Sequence, residues 1–202
     1  MTDDAADAFQ HRTVLSDGSV YRVVPVGTGV RAIRAWVEHP WPMSPAQALA
    51  LRDRLGWTSS PTNERMFTTD HGIGEKDASF NTIEAGGDIR TVSSFHLSLT
   101  SRIPKPVRAE AVPIAERAFE AYVEALTAIY GQGKRSRNRG VLSVKWTLPN
   151  DTLVDIGTIG RVVSADVDSP ALNEAARGEA QYFAEIADEN DVPYIDIDNP
   201  DS

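Results

Sequence analysis

Between Val112 and Pro149 the apolar positions change period. Ala115, Phe119, Tyr122, Leu126 and Ile129 recur at steps of four, three, four and three, which lays them along one face of a helix. Glu116, Glu120 and Glu124 fall on the opposite side, and Gly131 follows the last periodic residue, where a left-handed cap is needed. The spacing therefore predicts one long amphipathic helix. Past a basic stretch, Leu142, Val144 and Trp146 alternate with Ser143 and Lys145, which is the period of a half-buried strand.

The rest of the chain divides by the same criterion. Residues 13–15 and 20–26 are β-prone and flank Ser16-Asp17-Gly18-Ser19, a good hairpin turn. Over 30–38 the period is undecided, and Pro40 and Pro42 break what precedes them. Ser44-Pro45-Ala46-Gln47 then opens a helix, because the serine can cap, proline suits the first helical position, and Gln47 sits where a capping box needs it. Leu51 and Leu55 lie one turn apart, Gly56 stops the helix, and Trp57 is placed to fold back onto it.

Three strands follow at 64–69, 79–84 and 89–100, the last two joined by Ala85-Gly86-Gly87-Asp88. In the third, Phe95, Leu97 and Leu99 alternate with Ser94, His96, Ser98 and Thr100, so one face of the sheet is apolar and the other polar. That predicts a sheet covered on one side only. After the long helix, Pro149-Asn150-Asp151 turns the chain, 153–156 and 162–167 read as strands, and Ser169-Pro170 starts a last helix to about residue 188. This helix presents Leu172, Ala176, Tyr182, Phe183 and Ile186, with Gly178 weakening it. No repeat occurs at a solenoid period.

The fold class that results is α+β: a two-layer sandwich of mostly antiparallel sheet, with a long central helix and flanking helices on one face. The expected organisation is a disordered stretch at 1–12, one domain at 13–189 and an acidic tail at 190–202. Strand order is not legible at this level.

Charge changes the picture because of where it lies. The net charge is −9, yet three acids and one base (Arg12) fall in residues 1–12 and eight acids fall after Arg177, with no Lys or Arg after that point, leaving eighteen acids against nineteen bases between. The body is nearly neutral and the ends are acidic. Such ends repel nucleic acid and can meet a basic protein surface, or simply aid solubility. There is no transmembrane run and no basic, apolar leader, so the cytoplasm is the expected compartment and no membrane partner is expected. With no cysteine, disulfides, thiolate chemistry and cysteine-held zinc drop out.

Candidate chemistry is sparse. The histidines His11, His39, His71 and His96 have no metal-binding helix spacing, and His96 reads as a hydrogen-bonded surface residue. Asp70-His71-Gly72-Ile73-Gly74-Glu75-Lys76-Asp77 crowds acids, an imidazole and a lysine, but lacks phosphate-loop spacing and reads as a hairpin loop. Between Gly133 and Gly140 lie Lys134, Arg135, Arg137 and Arg139 with no acid among them. That stretch reads as a solvated loop, with a protein-contact patch as the second reading and nucleic acid as the third, since no aromatic residue is interleaved. The acidic end of the chain competes for it. Asp196 and Asp198 resemble half of a calcium loop but lack its glycine and terminal glutamate, so calcium is not expected.

Leu55-Gly56-Trp57, Ile129-Tyr130-Gly131 and Trp146-Thr147-Leu148-Pro149 together resemble an uncharacterised actinobacterial family of small single-domain proteins, over roughly residues 30–185. Members of that kind are often encoded near type VII secretion systems and their toxins, so the resemblance implies an immunity-like role. It implies no catalytic residue and no cofactor. The element order is also similar to that of small acidic secretion chaperones.

The first expectation is thus a non-enzymatic immunity or inhibitor protein that binds a cognate toxin domain. Its partner-binding residues would be Asp70, His71, Glu75, Lys76, Asp77, Lys134, Arg135, Arg137 and Arg139, or the acidic tail. A homodimeric secretion chaperone or adaptor for a client protein is the second. A small-molecule-binding domain or enzyme lined by His71, His96 or Trp146 is the third. Oligomeric state is left open.

Overall fold

The computed structural model describes residues 11–84, 90–103, 105–138 and 140–190. It opens on the expected hairpin, β1 (Arg12–Val14) and β2 (Val20–Arg22), paired antiparallel around a turn in which Asp17 Oδ1 accepts from Ser19 N at 2.8 Å. Arg12, assigned to the disordered stretch, is thus part of a strand; residues 1–10 lie outside the described residues. The second strand ends earlier than expected. Val26 begins a helix, α1 (Val26–Val37), and this settles the undecided run: Val30, Ile33, Trp36 and Val37 form one buried face. Gly27 and Gly29 weaken the helix locally, and packing overrides them.

The next helix, α2 (Pro45–Arg54), has the capping box that its sequence predicts, with Ser44 N donating to Gln47 Oε1 at 2.8 Å and Gln47 N to Ser44 Oγ at 3.3 Å. Four strands follow: β3 (Thr58–Ser60), β4 (Asn63–Thr68), β5 (Ala78–Glu84) and β6 (Arg90–Ser98). The Ala85–Asp88 turn lies outside the described residues. A 3-10 turn at Lys105–Val107 leads into the long helix α3 (Arg108–Tyr130), and then come β7 (Lys134–Asn138), β8 (Val141–Thr147), β9 (Leu153–Thr158), β10 (Val163–Asp168) and α4 (Pro170–Asn190).

The strands form one antiparallel sheet in the order β3-β4-β5-β6-β10-β9-β8-β7. Two similar halves meet at its centre. Each half is a helix, a glycine with positive φ (Gly56 at 74°, Gly131 at 80°), and a four-strand meander whose last strand is innermost. The innermost strands, β6 and β10, pair antiparallel. The repetition is one of topology, and no period in the sequence carries it.

Helices α1, α2 and α3 cover one face. Trp36 of α1 stacks on Phe95 of β6 with centroids 4.0 Å apart and planes within 6°, and Trp57 stacks on the same ring at 6.1 Å. Phe119, Tyr122 and Leu126 of α3 are buried, as their spacing predicts; so are Val144 and Trp146 of β8, and the Trp146 indole N–H donates to Gly131 O at 2.9 Å. Phe95, Leu97 and Leu99 are also buried, so the one-sided sheet is present.

Four expectations need correction. The basic stretch is an edge strand, β7, because each of its residues pairs with β8 from Lys134 to Asn138. Short β3 has no apolar alternation to reveal it. Ile129 is 42% exposed, since the fully buried stripe of α3 ends at Leu126. In α4 the residues expected to form a packing face stay largely outside: Ala176 is exposed, and Tyr182 and Phe183 are each 60% exposed, edge-to-face on one another at 5.8 Å. Among the described residues no helix is long and apolar enough to cross a membrane.

Candidate functional site

The face that the helices leave uncovered carries the polar half of every alternating strand. Directly opposed residues build a single row across it. Lys134 faces Lys145, Lys145 faces Asp155, Asp155 faces Asp166, Asp166 faces His96, His96 faces Ser79, and Ser79 faces Met66. Seven strands contribute one residue each. Such cross-strand neighbours lie about 5 Å apart, close enough for their charges to interact.

One ion pair and one hydrogen-bond contact order this row. Lys145 Nζ is 3.2 Å from Asp155 Oδ2, and His96 Nδ1 is 2.8 Å from Asp166 Oδ1. Between them the two aspartates stand opposite each other, an unfavourable arrangement for two charges. Burial raises the Asp155 pKa; Lys145 works against that rise and Asp166 adds to it. Its second oxygen, Oδ1, is buried and has no partner. Asp168, two residues along β10 on the same face, is pushed up to about 6, first by burial and then by Asp166.

Beside this row runs a second one of small residues, Ser136, Ser143, Gly157, Ser164 and Ser98, in successive register. Their low profile leaves an open groove of about 520 Å³ between the charged row and the apolar rim of Val141 and Ile159. Val141 and Ile159 are 39% and 47% exposed.

The residues singled out from sequence separate onto different sides. Lys134 belongs to the open face. Arg135 and Arg137 point to the helix side, where Arg135 is bidentate to Glu120 at 2.9 and 2.6 Å and its guanidinium lies 5.5 Å from the centre of Phe119. Arg139 lies outside the described residues. In the loop between β4 and β5, Glu75 and Lys76 border a second hollow on the open face beside Met66 and Ser98, and Asp70 is exposed. Asp77 is buried; it accepts from Thr69 N at 2.7 Å and Thr69 Oγ1 at 2.6 Å, which pins the loop.

His71 is likewise turned inward, with its side chain 4% exposed and its ring edge-on to Trp57 at 5.7 Å. Burial lowers its pKa, against the opposing charges of Asp70 and Asp77. Of the two remaining third-choice residues, Trp146 fills the core and His96 belongs to the charged row. Asp155, Asp166 and Asp168 were missed because each is one polar residue in an alternating strand. Only the strand order brings them together.

Asp166, His96 and Ser79 succeed one another across three strands, but no hydrogen bond joins His96 to Ser79. The His96 and Asp166 side chains are 38% and 44% exposed. Among the described residues no three His, Asp or Glu side chains converge so as to hold a metal ion.

A model for a family of unknown function, DUF6301, matches residues 27–169. The chain belongs to that family. The matched span opens in α1 and closes at Ser169, just before α4, so it contains both halves of the sheet and leaves out the first hairpin and α4. The span is narrower than 30–185 at its far end. It includes the Leu55-Gly56-Trp57, Ile129-Tyr130-Gly131 and Trp146–Pro149 residues. No curated protein and no solved structure matches the chain.

Proposed function

We propose that this protein is a non-enzymatic binding module that covers a partner protein with the open face of its sheet, as an immunity protein occludes a toxin domain. The observation that carries this reading is the row of Lys134, Lys145, Asp155, Asp166 and His96, continuous across five strands of an uncovered face. Its order of charge, two cations, two acids and a titratable ring, gives a partner both attraction and register. Glu75 and Lys76 flank the same face, so two separate parts of the chain converge there. The location is the cytoplasm, where a toxin would have to be neutralised before export.

The test is protection. Cells expressing a toxin domain encoded beside this gene survive when the native protein is co-expressed, and the Lys145→Glu/Asp166→Lys variant, folded by circular dichroism, fails to protect. The proposal is overturned if no neighbouring toxin is neutralised, or if the variant protects as well as the native chain.

A second reading, an adaptor that binds a client by strand addition, rests on the exposed five-residue edge β7. It predicts a homodimer holding an extended client segment; a strict monomer in light scattering would argue against it.

A further inference from the structure

The charged row is ordered so that it complements itself. Within one chain it sets like beside like twice, Lys134 opposite Lys145 and Asp155 opposite Asp166. Each such pair is unfavourable. The Lys145–Asp155 contact relieves the middle of the row and Asp166 also has His96, but Lys134 has no ion pair among the described residues.

A two-fold axis lying in the open face, parallel to the strands and midway between β8 and β9, lays β8 of one copy over β9 of another and β7 over β10. The level of each residue along its strand is kept. Lys145 then meets Asp155 of the second copy, and Lys134 meets its Asp166, so every like pair gains opposite charges. The other two rows match under the same rotation. Val141 comes over Ile159, apolar on apolar, while Ser143 comes over Gly157 and Ser136 over Ser164. No large side chain stands in that floor to hold the copies apart, and its hydroxyls suit bridging water. We infer that two copies of this chain pair face to face through β7–β10.

The remaining charges leave this pairing unopposed. Arg135 and Arg137 lie on the helix side. Asp168 lies one level beyond the row, diagonal to Lys134 of the second copy. Arg161 is in the β9–β10 turn past the apolar rim, and Asp151 in the β8–β9 turn is held by Arg177. Glu75, Lys76 and Arg102 belong to the other half of the face, which runs past the second copy's β7 and stays open. The shared patch is roughly 20 Å by 15 Å, at the small end for a specific interface, so the dimer is weak and salt-sensitive. A second copy and the partner proposed above would compete for these strands, but the dimer does not depend on that reading.

Sedimentation equilibrium of the purified full chain tests the pairing with no other protein present, so its failure leaves the protection assay untouched. The native chain should dimerise reversibly below about 1 mM at low ionic strength and dissociate as salt screens the row. Lys134→Glu and Asp166→Lys should each weaken association about tenfold or more, because each sets like charges face to face twice in the dimer. Mixed in equal amounts, the two variants should associate as the native chain does, since the reversed positions meet at one contact and the native pair at the other. Both changes are at exposed positions, and circular dichroism confirms folding. Lys134→Glu, which has no ion pair to lose within the chain, decides the case alone if Asp166→Lys does not fold. A native chain that stays monomeric to about 1 mM overturns the inference. So does a dimer that Lys134→Glu does not weaken, as pairing through the β7 edge would give, or a mixture no tighter than its components.

Discussion

The phenol of Tyr122 lies so close to Gly29 that a β-carbon built on that glycine would come within 2.2 Å of the hydroxyl oxygen and 2.7 Å of the ring. Its O–H donates to Val24 O at 2.9 Å, just ahead of α1. Two helices of the covered layer are thereby locked at one point, by the absence of a side chain on one and a satisfied buried hydroxyl on the other. Gly29→Ala should destabilise the protein by about 1–3 kcal/mol through overpacking. Tyr122→Phe should cost about 1–2 kcal/mol by leaving the Val24 carbonyl unpaired. Urea midpoints measure both, and the double variant should fall short of the sum, since both changes act on one contact.

Lys145 is the only described cation in contact with Asp155. Lys145→Met removes it while burial stays, so the Asp155 carboxyl should titrate at higher pH than in the native protein, as followed by NMR. With the Asp155 side chain 22% exposed, the variant should lose about 1 kcal/mol at neutral pH. That deficit should shrink as acid protonates the carboxyl.

Asp168 pulls the other way. Its pKa of about 6 lies above the ordinary carboxylate value, so the folded protein holds this proton more tightly than the unfolded chain does. Stability from this group is present below about pH 4 and is lost as pH rises through 6. Asp168→Asn should therefore stabilise the protein at pH 7 by about 1 kcal/mol, after allowing for its partial exposure to water, and the gain should vanish below about pH 4. Thermal denaturation at three pH values checks the sign.

For His71 the sign reverses. Burial lowers its pKa, so the unfolded chain binds the proton more readily and the native fold loses stability as pH falls below about 6.5. His71→Phe keeps an aromatic ring beside Trp57 and removes the titration. Its stability should be flatter between pH 7 and pH 5 than that of the native protein; an identical slope would show that His71 does not set it.

What was legible in the sequence is what depends on neighbours along the chain. The Ser44–Gln47 box, the Asp17–Gly18 turn, the buried stripe through Phe119, Tyr122 and Leu126 and the alternation around Phe95 all rest on contacts a few residues apart. The helix α1 was obscured because two glycines hide a face that only tertiary packing explains. The strand β7 was hidden by its charge, since an edge needs no apolar alternation to stay paired. Ile129, Tyr182 and Phe183 look like core by spacing, yet spacing cannot say whether another element is there to cover them. The charged row was the least accessible. Lys145, Asp155, Asp166 and His96 come from four strands, and their adjacency depends on β10 crossing back to pair with β6.

That crossing has a consequence for how such a sheet could be assembled. Read outward from the β6–β10 junction, the strand order is the same in both directions, so one chain reproduces the arrangement of two identical subunits joined edge to edge. A helix–meander unit made alone would end in an open innermost strand and would complete its sheet by pairing with a second copy of itself. The linker between β6 and α3 converts what would be a homodimer interface into the interior of a single polypeptide. It also lets the two halves differ in detail, since the outer strand β7 carries Lys134, Arg135 and Arg137 while the outer strand β3 carries no cation.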